Sequence, residues 1–234
     1  MMKYLVALVK LLMIQFLLYG LFCCSNIDSN KLKPNLPIYQ DYYVTFDKTQ
    51  NKTKVEATFR ETGKDGTKLV LKGDANVRFN GQSETKYTTL FHYFYTWETN
   101  GVKDVDVIYT KNSTTRFVNT FSLRSAPKVD FIDGFSTLYL DQDISMGWKG
   151  SAIEPNEKLS VTITQKGRNA YFNVSNVGAT SIVINNLKNS GITRGPALIN
   201  IKRRRIDRSL GQSDMGAGGE VTFEVSIDRG ITIQ

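Results

Sequence analysis

The feature that most constrains this chain is an apolar–polar alternation of period two, repeated from Tyr42 almost to the C-terminus. Its clearest instance is Val221, Phe223, Val225 and Ile227, alternating with Thr222, Glu224, Ser226 and Asp228. Successive side chains on a strand point to opposite faces, so this pattern specifies a strand with one buried face. It recurs in Tyr42, Val44 and Phe46, in Val55, Ala57 and Phe59, in Val105, Val107 and Tyr109, and in Leu159, Val161 and Ile163. Turn signals separate the runs: Gly63-Lys64-Asp65-Gly66, Asn80-Gly81, Asn100-Gly101 and Lys166-Gly167. Asn-Gly accepts positive φ at both residues and marks a hairpin. No long stretch after the first two dozen residues has helical periodicity. Short strands with turns at this spacing predict an all-β fold built from β-sandwiches.

The pairs Ala126-Pro127 and Asp133-Gly134 mark a junction. It divides the body into two expected domains, 39–130 and 131–234, each close to the ~100 residues of an immunoglobulin-like sandwich. One long single sandwich is the alternative. After Cys24 the chain holds no cysteine. The Cys-Trp-Cys arrangement of antibody-type domains is therefore absent, and apolar packing must hold the cores.

The first 24 residues differ from the rest. Lys3 and Lys10 precede the apolar run Leu11–Phe22, and Cys23-Cys24 closes it. A charged start, an apolar core of roughly 7–15 residues and a processing point make a secretory signal. A retained spanning helix would need ~20 apolar residues, and Lys10 and Gln15 interrupt any such span. Leu21-Phe22-Cys23-Cys24 resembles the lipobox of bacterial lipoproteins, with Leu21 and Cys23 in the aliphatic and small slots and Cys24 as the lipidated residue. Cys23 is the alternative acceptor. The resemblance implies a fatty-acid anchor such as palmitate and a membrane partner. It places the body outside the cytoplasm in a bacterial envelope, most simply on the outer membrane. Residues 25–38, polar and holding Pro34 and Pro37, then read as a flexible tether.

Within the body, Val55-Glu56-Ala57-Thr58-Phe59, Leu69-Val70-Leu71, Asn80-Gly81 and Phe117-Val118-Asn119 resemble the first domain of uncharacterised two-domain bacterial surface lipoproteins. Trp148-Lys149-Gly150, Asn156-Glu157, Gly178-Ala179-Thr180 and Gly195-Pro196-Ala197 resemble their second domain. That resemblance implies the architecture and carries no activity with it.

The net charge is +8, and Lys3 and Lys10 leave with a cleaved signal. The remainder attracts anionic surfaces weakly and is not a nucleic-acid signature. The densest charge run is Lys202-Arg203-Arg204-Arg205. It reads either as a patch for lipid phosphate or acidic glycan, or as a strand end kept soluble by charge. Tyr93, Tyr95 and Trp97 share one strand face. Exposed, they would stack on sugar rings; buried, they are core.

His92 is the single histidine, in a strand, and no G-x-S-x-G is present. It reads as a strand residue and not as a catalytic base. Asp104 with Asp106, and Asp141 with Asp143, lack the Gly and distal Glu of a calcium loop and read as solvated strand rows. The triplets at Asn51, Asn112 and Asn173 match N-x-S/T by chance in a bacterial setting. No catalytic residue, metal or cofactor is expected. The sequence points to a lipid-anchored, non-catalytic envelope protein with a binding or structural role, its partner a glycan or another envelope protein. A carbohydrate-binding or adhesive lipoprotein is the alternative, and a hydrolase a remote one.

Overall fold

The structure is a computed structural model that describes residues 26–89 and 92–234. Cys23 and Cys24, with the whole signal segment, lie outside the described residues. Strand follows strand. β1 (Ile27–Asp28), β2 (Ile38–Asp47), β3 (Lys52–Glu61), β4 (Leu69–Val70), β5 (Asn76–Phe79), β6 (Gln82–Ser83), β7 (Thr85–Thr89), β8 (His92–Asn100), β9 (Val105–Thr110) and β10 (Arg116–Phe121) come first. β11 (Asp130–Phe131), β12 (Thr137–Leu138), β13 (Ile144–Lys149), β14 (Glu157–Gln165), β15 (Arg168–Val174), β16 (Ser181–Ile184), β17 (Gly195–Asp207) and β18 (Gly219–Ile233) follow. Three short 3-10 turns are the helical content among the described residues. The described residues form an all-β fold with several sheets.

A nine-stranded sheet dominates, in the order β15-β14-β17-β18-β2-β3-β8-β7, with β12 added beside the end of β18. Its left part comes from the second half of the sequence and its right part from the first. The seam is the parallel pairing of β18 with β2, from Gly219 opposite Gln40 to Ser226 opposite Asp47. One continuous sheet thus draws strands from both halves of the sequence. Two smaller sheets, β10-β9-β5-β6 and β11-β13-β16, belong to the first and second halves.

The alternation read in the sequence sets the packed face. Tyr42, Val44, Val55, Ala57, Phe59, Val221, Phe223, Leu159, Val161, Ile199 and Ile201 are buried, together with Val77, Phe79, Val105, Val107 and Tyr109 of one small sheet and Met146, Trp148, Ile182 and Ile184 of the other. Rings bridge the layers: Phe59 stacks on Tyr109 at 4.2 Å between centroids, and Tyr42 meets Phe121 at 5.1 Å. A side chain of this size contributes ~1.5–3 kcal/mol when buried. Asn80 and Gly81, with φ of 48° and 76°, turn β5 into β6 as the Asn-Gly pair predicts.

The segment read as a free tether is docked instead. Ile27 pairs with Leu69 in the parallel β1–β4 ladder, and Ser29 Oγ accepts from the Lys72 amide at 2.9 Å. The reason is apolar: Ile27 and Leu32 pack against the core. No helix among the described residues is long and apolar enough to cross a membrane.

Candidate functional site

The basic run does not make one surface. On β17, Lys202 and Arg204 point to the outward face of the large sheet, while Arg203 and Arg205 point inward. Arg203 is 0% exposed and paired with Glu157. The Arg205 guanidinium lies 5.3 Å from the Phe223 ring centre and bonds Asp207. Lys202 pairs with Glu224 at 3.0 Å. A strand in this register divides consecutive charges between two environments.

The aromatic row belongs to the packed side. Tyr95 is 0% exposed, and its hydroxyl accepts from the Leu71 amide at 2.6 Å. Burial pushes its pKa up to about 12. Tyr93 is half-buried, and the half-buried Trp97 donates from Nε1 to Gln82 at 2.6 Å. Of His92, the described part is its backbone, opposite Thr89 at the start of β8. The paired aspartates serve as acceptors: Asp104 takes the Ser122 hydroxyl, Asp106 the Thr120 hydroxyl, and Asp141 pairs with Arg194 at 2.8 Å. Among the described residues no group of three His, Cys, Asp or Glu side chains is placed to hold a metal.

A different set converges on the outward face, opposite the core. Parallel pairing sets Asp41 beside Glu220 and Tyr43 beside Thr222. On the other flank of β2, Asp41 faces Thr58 and Tyr43 faces Glu56. Arg204 stands opposite Glu224 across the β17–β18 ladder. All of these but Glu224, with Arg60, Lys68 and Phe94, line an open groove of about 460 Å³. Glu220, Thr222 and Glu224 are each only 7% exposed. Long neighbours shield them: Lys64 bonds Glu220 at 2.9 Å, Lys202 bonds Glu224, and the Tyr43 hydroxyl donates to Glu224.

Electrostatics in the groove are balanced but strained. Burial first, and then the Glu220 carboxylate, raise the Asp41 pKa, against the lowering pull of Arg60. Burial and the Glu224 contact raise Tyr43 well above an ordinary phenol. Burial, with Glu220 and Asp41 adding to it, pushes Tyr39 up to about 12. Arg60 Nε is buried without a hydrogen-bond partner among the described residues. A buried unsatisfied donor costs ~1–3 kcal/mol, so this N–H is a group a ligand acceptor would stabilise. At the groove edge Lys68 lies over the Phe94 ring, 5.1 Å from its centre.

The Asp41 shift carries a pH prediction. A carboxyl whose folded pKa is raised contributes stability below its unfolded value, near pH 4, and loses it as pH rises through the folded value. Asp41→Asn removes that loss. The variant is expected to be more stable than the parent at pH 7, with the difference vanishing at pH 3.5 in urea titrations. An Asp41→Asn protein less stable at pH 7 would contradict it.

Of these residues, the sequence singled out only Arg204, as part of the basic run. They are ordinary polar positions of separate strands, and they converge only through the parallel β18–β2 pairing, which joins residues far apart in the chain. No protein family and no curated protein matches the chain. Among solved structures, a crystal structure of mouse protocadherin-24 EC1-3 aligns over 88% of this chain and 96% of that chain, at 9% identity and a TM-score of 0.20. A likeness of that strength carries no inference about shape or role.

Proposed function

We propose that this chain is a lipid-anchored, non-catalytic binding protein of the bacterial envelope, with two immunoglobulin-like sandwiches fused edge to edge through β18 and β2. Its ligand is a hydroxyl-rich glycan seated in the groove on the outward sheet face. The observation that carries the binding role is the orphaned Arg60 Nε amid Asp41, Glu220, Thr58 and Arg204. Carboxylates accept from sugar hydroxyls and guanidinium groups donate to them, and charge-assisted bonds of this kind are roughly twice as strong as neutral ones. With acids and bases nearly equal in number, the groove suits a polar neutral ligand better than a polyanion. Tyr93, Tyr95 and Trp97 serve the core in this reading.

The anchor is supported by Leu21-Phe22-Cys23-Cys24 and by the lack of any later cysteine. One acyl chain gives only marginal attachment, so lasting attachment needs the second chain that lipoprotein processing adds. In a bacterial host, palmitate is expected on the wild type and not on Cys24→Ala. Label on Cys24→Ala would move the acceptor to Cys23, and absence of label from both proteins would refute the anchor. Glycan-array binding of the purified chain, lost at least tenfold in Arg60→Gln with an unchanged melting temperature, tests the groove. Binding untouched by Arg60→Gln and by Arg204→Gln would refute the site.

A further inference from the structure

A second cavity lies where the chain leaves the expected anchor. The docked segment after Ser29 forms one wall, and the β4–β5 connection and the end of β9 form the others. Its volume is about 190 Å³. That is below the ~300 Å³ at which drug-sized sites begin, so a head group fits and an acyl chain does not.

The chemistry of its lining is directional. Lys33, Lys72 and Lys111 reach it, against Asp74 alone. Lys111 is already held by Asp214 at 2.7 Å. Lys33 and Lys72 make no ion pair among the described residues. Tyr109 closes the floor. It is 1% exposed, and its ring stacks on Phe59 and Phe117. Lys33 and Lys72, both exposed, and the Tyr109 hydroxyl line the same space, and ammonium and hydroxyl donors together form a seat for a tetrahedral oxyanion. Leu32 and Pro34 give the rest of the wall an apolar surface.

We propose that this cavity binds the phosphate of an anionic phospholipid head group and so holds the body against the membrane. The inference rests on the lipid-anchor reading, because distance is what selects the source of the phosphate. Ser29 follows Cys24 closely, and a fully extended chain spans at most ~3.3–3.6 Å per residue. The cavity wall therefore lies within roughly 20 Å of a lipidated Cys24. Docking of Ile27 and Ser29 onto β4 and Lys72 shortens the free part of that chain further. A basic site held at that range sits at the head-group layer, where each cation near an anionic surface is favourable and the attraction falls off within a Debye length.

The test uses the full chain in neutral detergent, followed by amide and tyrosine-ring NMR. The probes are dihexanoyl phosphatidylglycerol, dihexanoyl phosphatidylcholine and inorganic phosphate. Saturable shifts at Ser29, Lys72 and Tyr109 are expected with phosphatidylglycerol. Affinity is expected to fall about tenfold in Lys33→Glu/Lys72→Glu and several-fold in Tyr109→Phe, and to weaken with added salt. Inorganic phosphate matching the lipid in affinity would overturn the head-group assignment, and the absence of shifts with every probe would overturn the site. Cys24→Ala separates the two readings. Head-group binding that persists in a chain carrying no acyl mass supports the cavity whatever becomes of the anchor. Acylation of the wild type without any head-group shifts supports the anchor and overturns the cavity.

Discussion

Replacing Arg203 by alanine is expected to lower stability by ~3–5 kcal/mol, the usual cost of removing one partner from a buried ion pair. For a chain of this size each kcal/mol moves the melting temperature by ~2–4 °C, so the midpoint should fall by roughly 6–20 °C. The reason lies in what the guanidinium leaves behind. It is 0% exposed, and Glu157 is 5% exposed. Nε donates to Glu157 at 3.2 Å, and Nη2 donates to the same carboxylate. Nη1 donates to the carbonyls of Lys128 at 3.1 Å and Ser151 at 2.8 Å, and Nη2 to the carbonyl of Ala152 at 2.8 Å. Alanine leaves the buried Glu157 carboxylate with the Glu154 amide alone and takes the guanidinium from the Lys128 and Ala152 carbonyls, while the Ser151 carbonyl keeps Trp148 Nε1 at 3.1 Å. Gly150 shows how closely the site is built: its φ is +147°, and a Cβ there would lie 2.3 Å from the Lys128 carbonyl oxygen. Equilibrium urea unfolding of Arg203→Ala, with Arg203→Met/Glu157→Gln as the paired change, measures the effect. The double change should recover part of the loss, since the stranded charge is gone. A loss below ~1 kcal/mol in Arg203→Ala would contradict this account.

Arg203 also shows where sequence reading stops. Period-two alternation was legible because burial on one face of a strand demands it: Leu159 to Ile163 alternate as that pattern requires, while on the central β18 Thr222 and Glu224 are buried along with Val221, Phe223 and Val225. The same rule explains why Lys202 to Arg205 divide between two faces. What a local pattern cannot carry is the identity of the facing partner. An arginine at an inward position is unfavourable until Glu157 and the 150–152 loop are known to meet it. Likewise Tyr93, Tyr95 and Trp97 could be core or platform by spacing alone, and the choice was made by the small sheet lying over that face. The docking of Ile27 and Leu32 was hidden because an isolated apolar residue in a polar, proline-bearing stretch has no period to detect. The groove was hidden for the strongest reason. Asp41 and Glu220 are neighbours through one parallel pairing between the two ends of the body, and hydrogen bonds of that range leave no trace in either strand.

That pairing is the basis of the other large effect. Phe223→Ala is expected to cost ~3–5 kcal/mol, the usual range for a buried aromatic, and to destabilise both halves in a single transition. Phe223 is 4% exposed. It lies on β18, opposite Val44 of β2 and Arg205 of β17. Its ring meets Phe121, from the first half of the chain, edge-on at 6.2 Å between centroids, and carries the Arg205 guanidinium on its face. Truncation therefore removes contacts on both sides of the seam at once. If the halves were independent, the loss would fall on the second half alone and unfolding would split into two steps. The isolated fragment 132–234 gives the sharper form of the same result. It retains β14, β15 and β17 but leaves β18 with an unpaired edge from Gly219 to Ser226, and bares Phe223 where Phe121 had covered it. An open, apolar edge strand pairs with another chain. The fragment is expected to show β-type circular dichroism and to self-associate in sedimentation velocity, while the whole chain stays free of edge pairing at β18. A fragment that remains monomeric and unfolds at the same urea concentration as the full chain would show that the seam contributes little.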